Sequence, residues 1–399
     1  MRRRRHASAS GRQRGGCVLR ALLLVGIVAA GVWVWWNAQQ LPQPAPAPAP
    51  PPTVATNPVV PPPPSPSRAT PVTAPVPQSP QQPQPAAPTD ATPRFSPMLA
   101  VTRPASPAAH GMEFPRPPRD VLEVQVALAR RAISPGVVDG VMGPQTRAAL
   151  LAFQRYSGLP ETLALDAQTR ARLLLDRPAL TIYSITSNDL ARLQPVSPTW
   201  LGKSLQTAIE YETVLELVAE RGRASPNLIR RLNPLVDWLR VAPGTSVEIP
   251  DVTDPPVVGR AAFIVISLGE KKLQVFDAST NLLAHFPCSI AARVEKRPLG
   301  LLRVTAIAPN PNYTFDPAVF PESAEARQLS TKLILPPGPN NPVGTAWISL
   351  DRPGYGIHGT PHPEQVGRTE SHGCFRLANW NAEFLLKLVW IGMPVYVEP

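Results

Sequence analysis

Ile357-His358-Gly359-Thr360, followed after ten intervening residues by Ser371-His372-Gly373-Cys374-Phe375-Arg376, is the stretch that decides how this chain is read. The 399 residues contain six histidines and three cysteines, and this stretch holds His358, His362, His372 and Cys374. A thiol crowded by imidazoles and glycines reads as a nucleophile, a base and an exposed backbone. Cysteine attacks as thiolate and needs a base or a positive field beside it, and histidine is the side chain whose proton is mobile near neutral pH. Gly373 lets the chain turn tightly before Cys374 and leaves amide N–H groups open to a developing oxyanion.

Working outward, Gly338-Pro339-Asn340-Asn341-Pro342-Val343-Gly344 and Pro353-Gly354-Tyr355-Gly356-Ile357 lead into that stretch. Together these segments resemble the signature of the L,D-transpeptidase (YkuD) catalytic domain, over residues 259–399. The resemblance implies acyl transfer on peptidoglycan stem peptides in cell-wall biogenesis, without a cofactor and with carbapenem-type inhibitors as reactive partners. It implies Cys374 as nucleophile, His358 as base, the Gly359 carbonyl holding the other ring nitrogen, and N–H groups of His372, Gly373 and Cys374 as oxyanion donors. Arg376, with Tyr355 and Ser371, falls to substrate binding; an ion pair inside the domain is the structural alternative for Arg376. A thiolate paired with His358 predicts a thiol titrating below the free value of ~8.5.

The fold expected of 259–399 is mostly β. Strands are predicted by β-branched content and turn punctuation at 262–268, 272–277, 282–290, 300–307, 345–350 and 394–397, with one helix over 378–388. Cys288 falls in one of these strands and reads as a buried, inert thiol.

Two smaller modules precede this domain. Val121–Arg131 has helical periodicity, Pro144 opens a second helix running to Ser157, and Asp166 caps a third ending near Leu175. With Val138-Asp139-Gly140, Gly143-Pro144 and Phe153-Gln154, residues 119–176 resemble the peptidoglycan-binding type 1 family. Over 180–250, a strand at 181–185, helices at 213–220 and 227–234 and a strand at 245–250 look like a LysM module, a family that grips glycan. A long insertion after the first strand departs from that pattern.

The net charge of +11 invites a nucleic-acid reading, but residues 1–40 carry seven arginines and no acid. Without them the remainder holds 32 basic and 28 acidic residues, so no nucleic-acid partner is expected. The arginines at 1–20 precede the apolar run Ala21–Trp36. Sixteen residues at ~1.5 Å span about 24 Å, and Cys17–Leu19 with Arg20 snorkelling extends this toward a ~30 Å hydrocarbon core. Arginines before the run and three tryptophans at its end predict an uncleaved single-pass anchor with the C-terminal bulk outside the cytoplasm; a cleaved signal peptide is the rival reading. Residues 37–118 form a linker: 27 of the chain's 54 prolines lie between Leu41 and Pro118, which leaves too few large apolar residues for a core.

Two other classes compete. His-x3-His and His-x-Cys spacing could hold zinc, but no carboxylate base stands in a zinc motif, so no metal is expected. A wall-binding protein with a dead enzyme domain is disfavoured by the intact Cys–His pair. The reading is a multidomain envelope enzyme that makes 3–3 cross-links through a Cys374 thioester; the alternative is an L,D-carboxypeptidase that uses water as acceptor.

Overall fold

The computed structural model describes residues 113–320, 323–368 and 373–399. The expected membrane helix, nearly all of the proline linker, and Ser371 and His372 of the motif lie outside the described residues. Among the described residues no helix is long and apolar enough to cross a membrane.

The first module is three helices, α1 (Val121–Ala129), α2 (Pro144–Tyr156) and α3 (Ala167–Arg172). Asp120 and Asp166 cap α1 and α3 by accepting from Glu123 N and Thr169 N, each cap stabilising its helix by about 1 kcal/mol. Val124, Leu128, Leu150 and Phe153 fill the core. α3 ends earlier than expected because the chain after Leu173 turns to pair Leu175 with Arg116.

The next segment closes on itself. β1 (Leu180–Ser184) pairs antiparallel with β2 (Ser246–Pro250), from Leu180 opposite Pro250 to Ser184 opposite Ser246. Four helices lie between them: α4 (Ser187–Ala191), α5 (Trp200–Ser204), α6 (Val214–Arg221) and α7 (Pro226–Leu232). Asn233 ends α7 and ties it to β2, donating to Glu248 O at 2.8 Å and accepting from Glu248 N at 2.7 Å. The stretch between β1 and α6, expected as an insertion, holds α4, α5 and their connections.

The last domain is mostly β, as expected. Its strands are β3 (Ala261–Ser267), β4 (Lys272–Asp277), β5 (Leu282–Pro287), β6 (Gly300–Pro309), β9 (Ala346–Leu350), β10 (Gly356–His358), β11 (Phe375–Arg376) and β12 (Pro394–Glu398). They form one sheet in the order β11-β10-β9-β6-β12-β3-β4-β5. β10 with β11 and β12 with β3 are parallel; the other pairs are antiparallel. Ile264, Ile266, Leu273, Val275 and Ile348 are buried in one core with Ala382 and Leu385 of helix α8 (Asn379–Leu386), each worth roughly 1.5–3 kcal/mol. A separate hairpin of β7 (Tyr313–Phe315) and β8 (Leu333–Leu335) stands outside the sheet.

The modules are joined. β5 is an edge strand, and an uncovered edge invites mispairing. Here the chain after α1 covers it: His285 N donates to Ala132 O at 2.9 Å and Ser134 N to His285 O at 2.8 Å. Asn381 at the start of α8 reaches Ser134 Oγ at 3.1 Å.

Candidate active site

The site lies where β10 and β11 run side by side. Their parallel register sets His358 opposite Arg376 and Ile357 opposite Phe375, and Leu377 N donates to His358 O at 2.8 Å. The residue before β11 is Cys374. Its thiol donates to Gly354 O at 3.4 Å, and the Gly356 N–H reaches the sulfur. Two short parallel strands thus bring the thiol and the imidazole to one cleft. That cleft, of about 530 Å³, is lined by Cys374, His358, Gly373, Arg376 and Trp347 among others.

His358 is 5% exposed, and its Nδ1 lies 2.6 Å from Gly359 O. A carbonyl only accepts, so Nδ1 carries the proton and Nε2 is the acceptor. The ring also stacks on Trp347, centroids 5.5 Å apart and planes 21° from parallel. Trp347 is pinned by its indole N–H, which donates to Ser349 Oγ at 2.7 Å.

Behind the base, Asn379 is 1% exposed. Its Oδ1 accepts from Thr360 N at 2.9 Å and its amide donates to Pro339 O at 3.1 Å. Only glycine fits at Gly344 (φ +62°), where a Cβ would fall 2.0 Å from Asn379 Oδ1 and 2.7 Å from Thr360 N. The Gly338–Gly344 segment therefore buttresses the His358-Gly359-Thr360 turn.

Electrostatics correct one expectation. Burial raises the Cys374 thiol above its ordinary value, against the Gly356 N–H and the Arg376 charge, which both lower it. Burial pushes His358 down to about 4; the Gly359 carbonyl opposes this and Arg376 adds to it. A second cation beside buried Arg376 is disfavoured, so the resting pair is neutral thiol and neutral imidazole. No preformed thiolate holds the thiol below ~8.5. The proton must then leave sulfur as attack begins, with His358 as acceptor.

The other sequence-derived candidates separate. Arg376 lines the cleft, and burial lowers its own pKa. Tyr355 stands beside the cleft: its hydroxyl donates to Lys296 O at 3.0 Å, and a Cβ on Gly373 would sit 3.8 Å from its ring. His362 is exposed, 4.0 Å from Glu364. Cys288 and Cys374 are both free thiols, and burial drives the Cys288 pKa up. Among the described residues no group of three or more metal-ligand side chains comes together. Sequence reasoning missed Trp347 and Asn379. Neither stands in the motif; strand pairing brings Trp347 to it, and the start of α8 brings Asn379.

Comparison with known proteins agrees with this architecture. Residues 261–397 match the family described as the L,D-transpeptidase catalytic domain, YkuD. Residues 118–173 match the peptidoglycan-binding type 1 family. A Fuscovulum blasticum protein named as an L,D-transpeptidase in the ATP synthase subunits region is 30% identical over 134 residues, which are 34% of this chain and 68% of that protein. A Bacillus licheniformis protein named as the L,D-transpeptidase YkuD is 25% identical over 185 residues, 46% of this chain and 93% of that one. The chain spans 58 to 66% of the length of the Escherichia coli relatives it matches. A crystal structure of L,D-transpeptidase 3 from Mycobacterium tuberculosis, in complex with a faropenem-derived adduct, is 19% identical with a TM-score of 0.28 and covers 40% of this chain and 76% of that one. The chain belongs to the L,D-transpeptidase family.

Proposed function

We propose that this protein cross-links peptidoglycan stem peptides through an acyl-enzyme on Cys374. The sulfur attacks the carbonyl of the third residue of a donor tetrapeptide while His358 Nε2 takes the thiol proton. The C–N bond to the terminal D-alanine then breaks, the proton passes to the leaving amine, and a thioester remains. The side-chain amine of a neighbouring stem attacks the thioester as His358 removes its proton, and a 3–3 link forms. Backbone N–H groups of His372, Gly373 and Cys374 bind the oxyanion, an interaction worth ~2.7–4 kcal/mol per donor in other enzymes. Arg376 holds a stem carboxylate through its fixed fork, and Ser371 is assigned to substrate binding with it. The observation that carries this reading is the hydrogen bond from His358 Nδ1 to Gly359 O. It sets the tautomer a base needs, in the cleft that holds the only thiol of the described residues that is not fully buried.

The remaining expectations belong to the same proposal. Residues 119–176 bind wall, the 180–250 segment is a LysM-like support, carbapenems acylate Cys374, and the Ala21–Trp36 helix anchors the enzyme with its catalytic domain outside the cytoplasm. The test is incubation with a disaccharide tetrapeptide and mass spectrometry of the products. A cross-linked dimer with loss of D-alanine supports transfer. Tripeptide alone supports the carboxypeptidase alternative. Product formed by Cys374→Ala overturns the nucleophile.

A further inference from the structure

The insertion between β1 and β2 lies outside the matched catalytic domain, yet it reaches the cleft. Trp200, the first residue of α5, lines the same cavity as Cys374 and His358. It is held there from both sides. Its ring stacks on Phe315 of β7, centroids 4.2 Å apart and planes 13° from parallel, and Phe315 stacks in turn on Phe320 at 5.2 Å. The Glu325 carboxylate accepts from Trp200 N and Leu201 N, both at 3.0 Å. After α5 the strap is laced to the segment that buttresses the base: Ile209 N donates to Pro337 O at 2.9 Å, and Asn340 N to Ile209 O at 3.0 Å. Gly338 (φ +144°) is required at that crossing, because a Cβ there would fall 2.2 Å from Ile209 O.

A tryptophan used only as a core residue would be buried, as Phe315 is at 0% exposure. Trp200 is only half-buried and lines the cleft, with Phe315 stacked on its ring and Lys203 Nζ 5.3 Å from the ring centroid. Large aromatic faces in a cleft bind aliphatic chains by dispersion and apolar burial. Phe320, Val319 and Val343 line the cavity with it, while Arg376 supplies charge.

We infer that Trp200, supplied by the module upstream of the catalytic domain, is a specificity-determining residue whose ring packs on an aliphatic stretch of the stem-peptide donor. This rests on the transpeptidase reading above. It also explains why the insertion is there, since the upstream module completes the active site.

The test compares Trp200→Ala and Trp200→Phe in the full chain, with the tetrapeptide as substrate and iodoacetamide as a small probe of Cys374. Trp200→Ala should raise KM at least fivefold with kcat within twofold, Trp200→Phe should restore most of the loss, and the alkylation rate should not change. Unchanged KM in folded Trp200→Ala overturns the inference, as does alkylation altered in step with turnover, which marks a structural role. Should Trp200→Ala fail to fold, Trp200→Phe against Trp200→Leu decides: equal KM in both overturns an aromatic wall. A wild-type protein that neither binds nor turns over the tetrapeptide sinks the transpeptidase reading and this inference with it. A wild type that does so, indistinguishable from its Trp200 variants, sinks the inference alone.

Discussion

Stability should peak near pH 6.5 and fall on both sides, because two buried histidines and the half-buried Glu220 titrate in opposite senses. Burial lowers His358 to about 4 and His285 to about 3, with Lys272 adding to the latter; both start from 6.5 in the unfolded chain. His285 is 1% exposed, its Nδ1 accepts from Gln274 Nε2 at 3.2 Å, and its Nε2 has no hydrogen-bond partner. A proton on Nδ1 would oppose that amide. Burial raises Glu220 from 4.5 to about 8, although a hydrogen bond with Asn379 lowers it. Each group that binds one proton more in the unfolded state makes stability rise by about 1.4 kcal/mol per pH unit, and one that binds a proton more in the folded state makes it fall equally. Between pH 4.5 and 6.5 the unfolded chain protonates both histidines while the folded protein keeps them neutral. Together they contribute a rise of roughly 2.7 kcal/mol per unit. Folded Glu220 holds its proton through that window and the unfolded chain does not, which cuts the net rise to about 1.4. Above 6.5 the histidines drop out, and Glu220 alone makes stability fall by about 1.4 kcal/mol per unit until pH 8. Urea unfolding midpoints from pH 4.5 to 8.5 measure this. Glu220→Gln should remove the alkaline limb and steepen the acid limb about twofold. A flat wild-type profile, or an alkaline limb that survives Glu220→Gln, would refute the reasoning.

The iodoacetamide rate at Cys374 should keep climbing beyond pH 9, since burial raises the thiol; a plateau near pH 7 in the resting enzyme would restore the preformed ion pair. Asn379→Ala strips partners from buried Thr360 N–H and Pro339 O, and should cost roughly 2–6 kcal/mol in urea unfolding at ~1–3 kcal/mol per orphaned group; a loss below about 1 kcal/mol would show that water replaces the amide. His358→Gln should lower turnover by ~10²–10⁴ while the fold survives by circular dichroism, and near-normal turnover would remove His358 as base.

How much could be read in advance depended on where each signal lies along the chain. The nucleophile, the base and its Gly359 partner sit within a few residues of each other or in one motif, so residue type and spacing were enough to name them. β-branched apolar runs such as Ala261–Ser267, and caps such as Asp120 and Asp166, are local and announced their elements. β10 and β11 were missed because three and two residues carry no period; they are strands only through pairing with each other and, for β10, with β9. Trp347, Asn379 and Trp200 carry no local mark of their roles. They reach the cleft through sheet register, a helix start and an insertion whose departure from pattern was the one visible hint. The protonation of the pair was decided by the tertiary structure as well. Spacing shows that an imidazole is near a thiol, but burial favours the neutral form of both. The sequence by itself determined the chemistry that could be done here. The packing of distant segments decided the resting charge of the site and which residues wall it, because desolvation and contact exist only once the chain has closed around them.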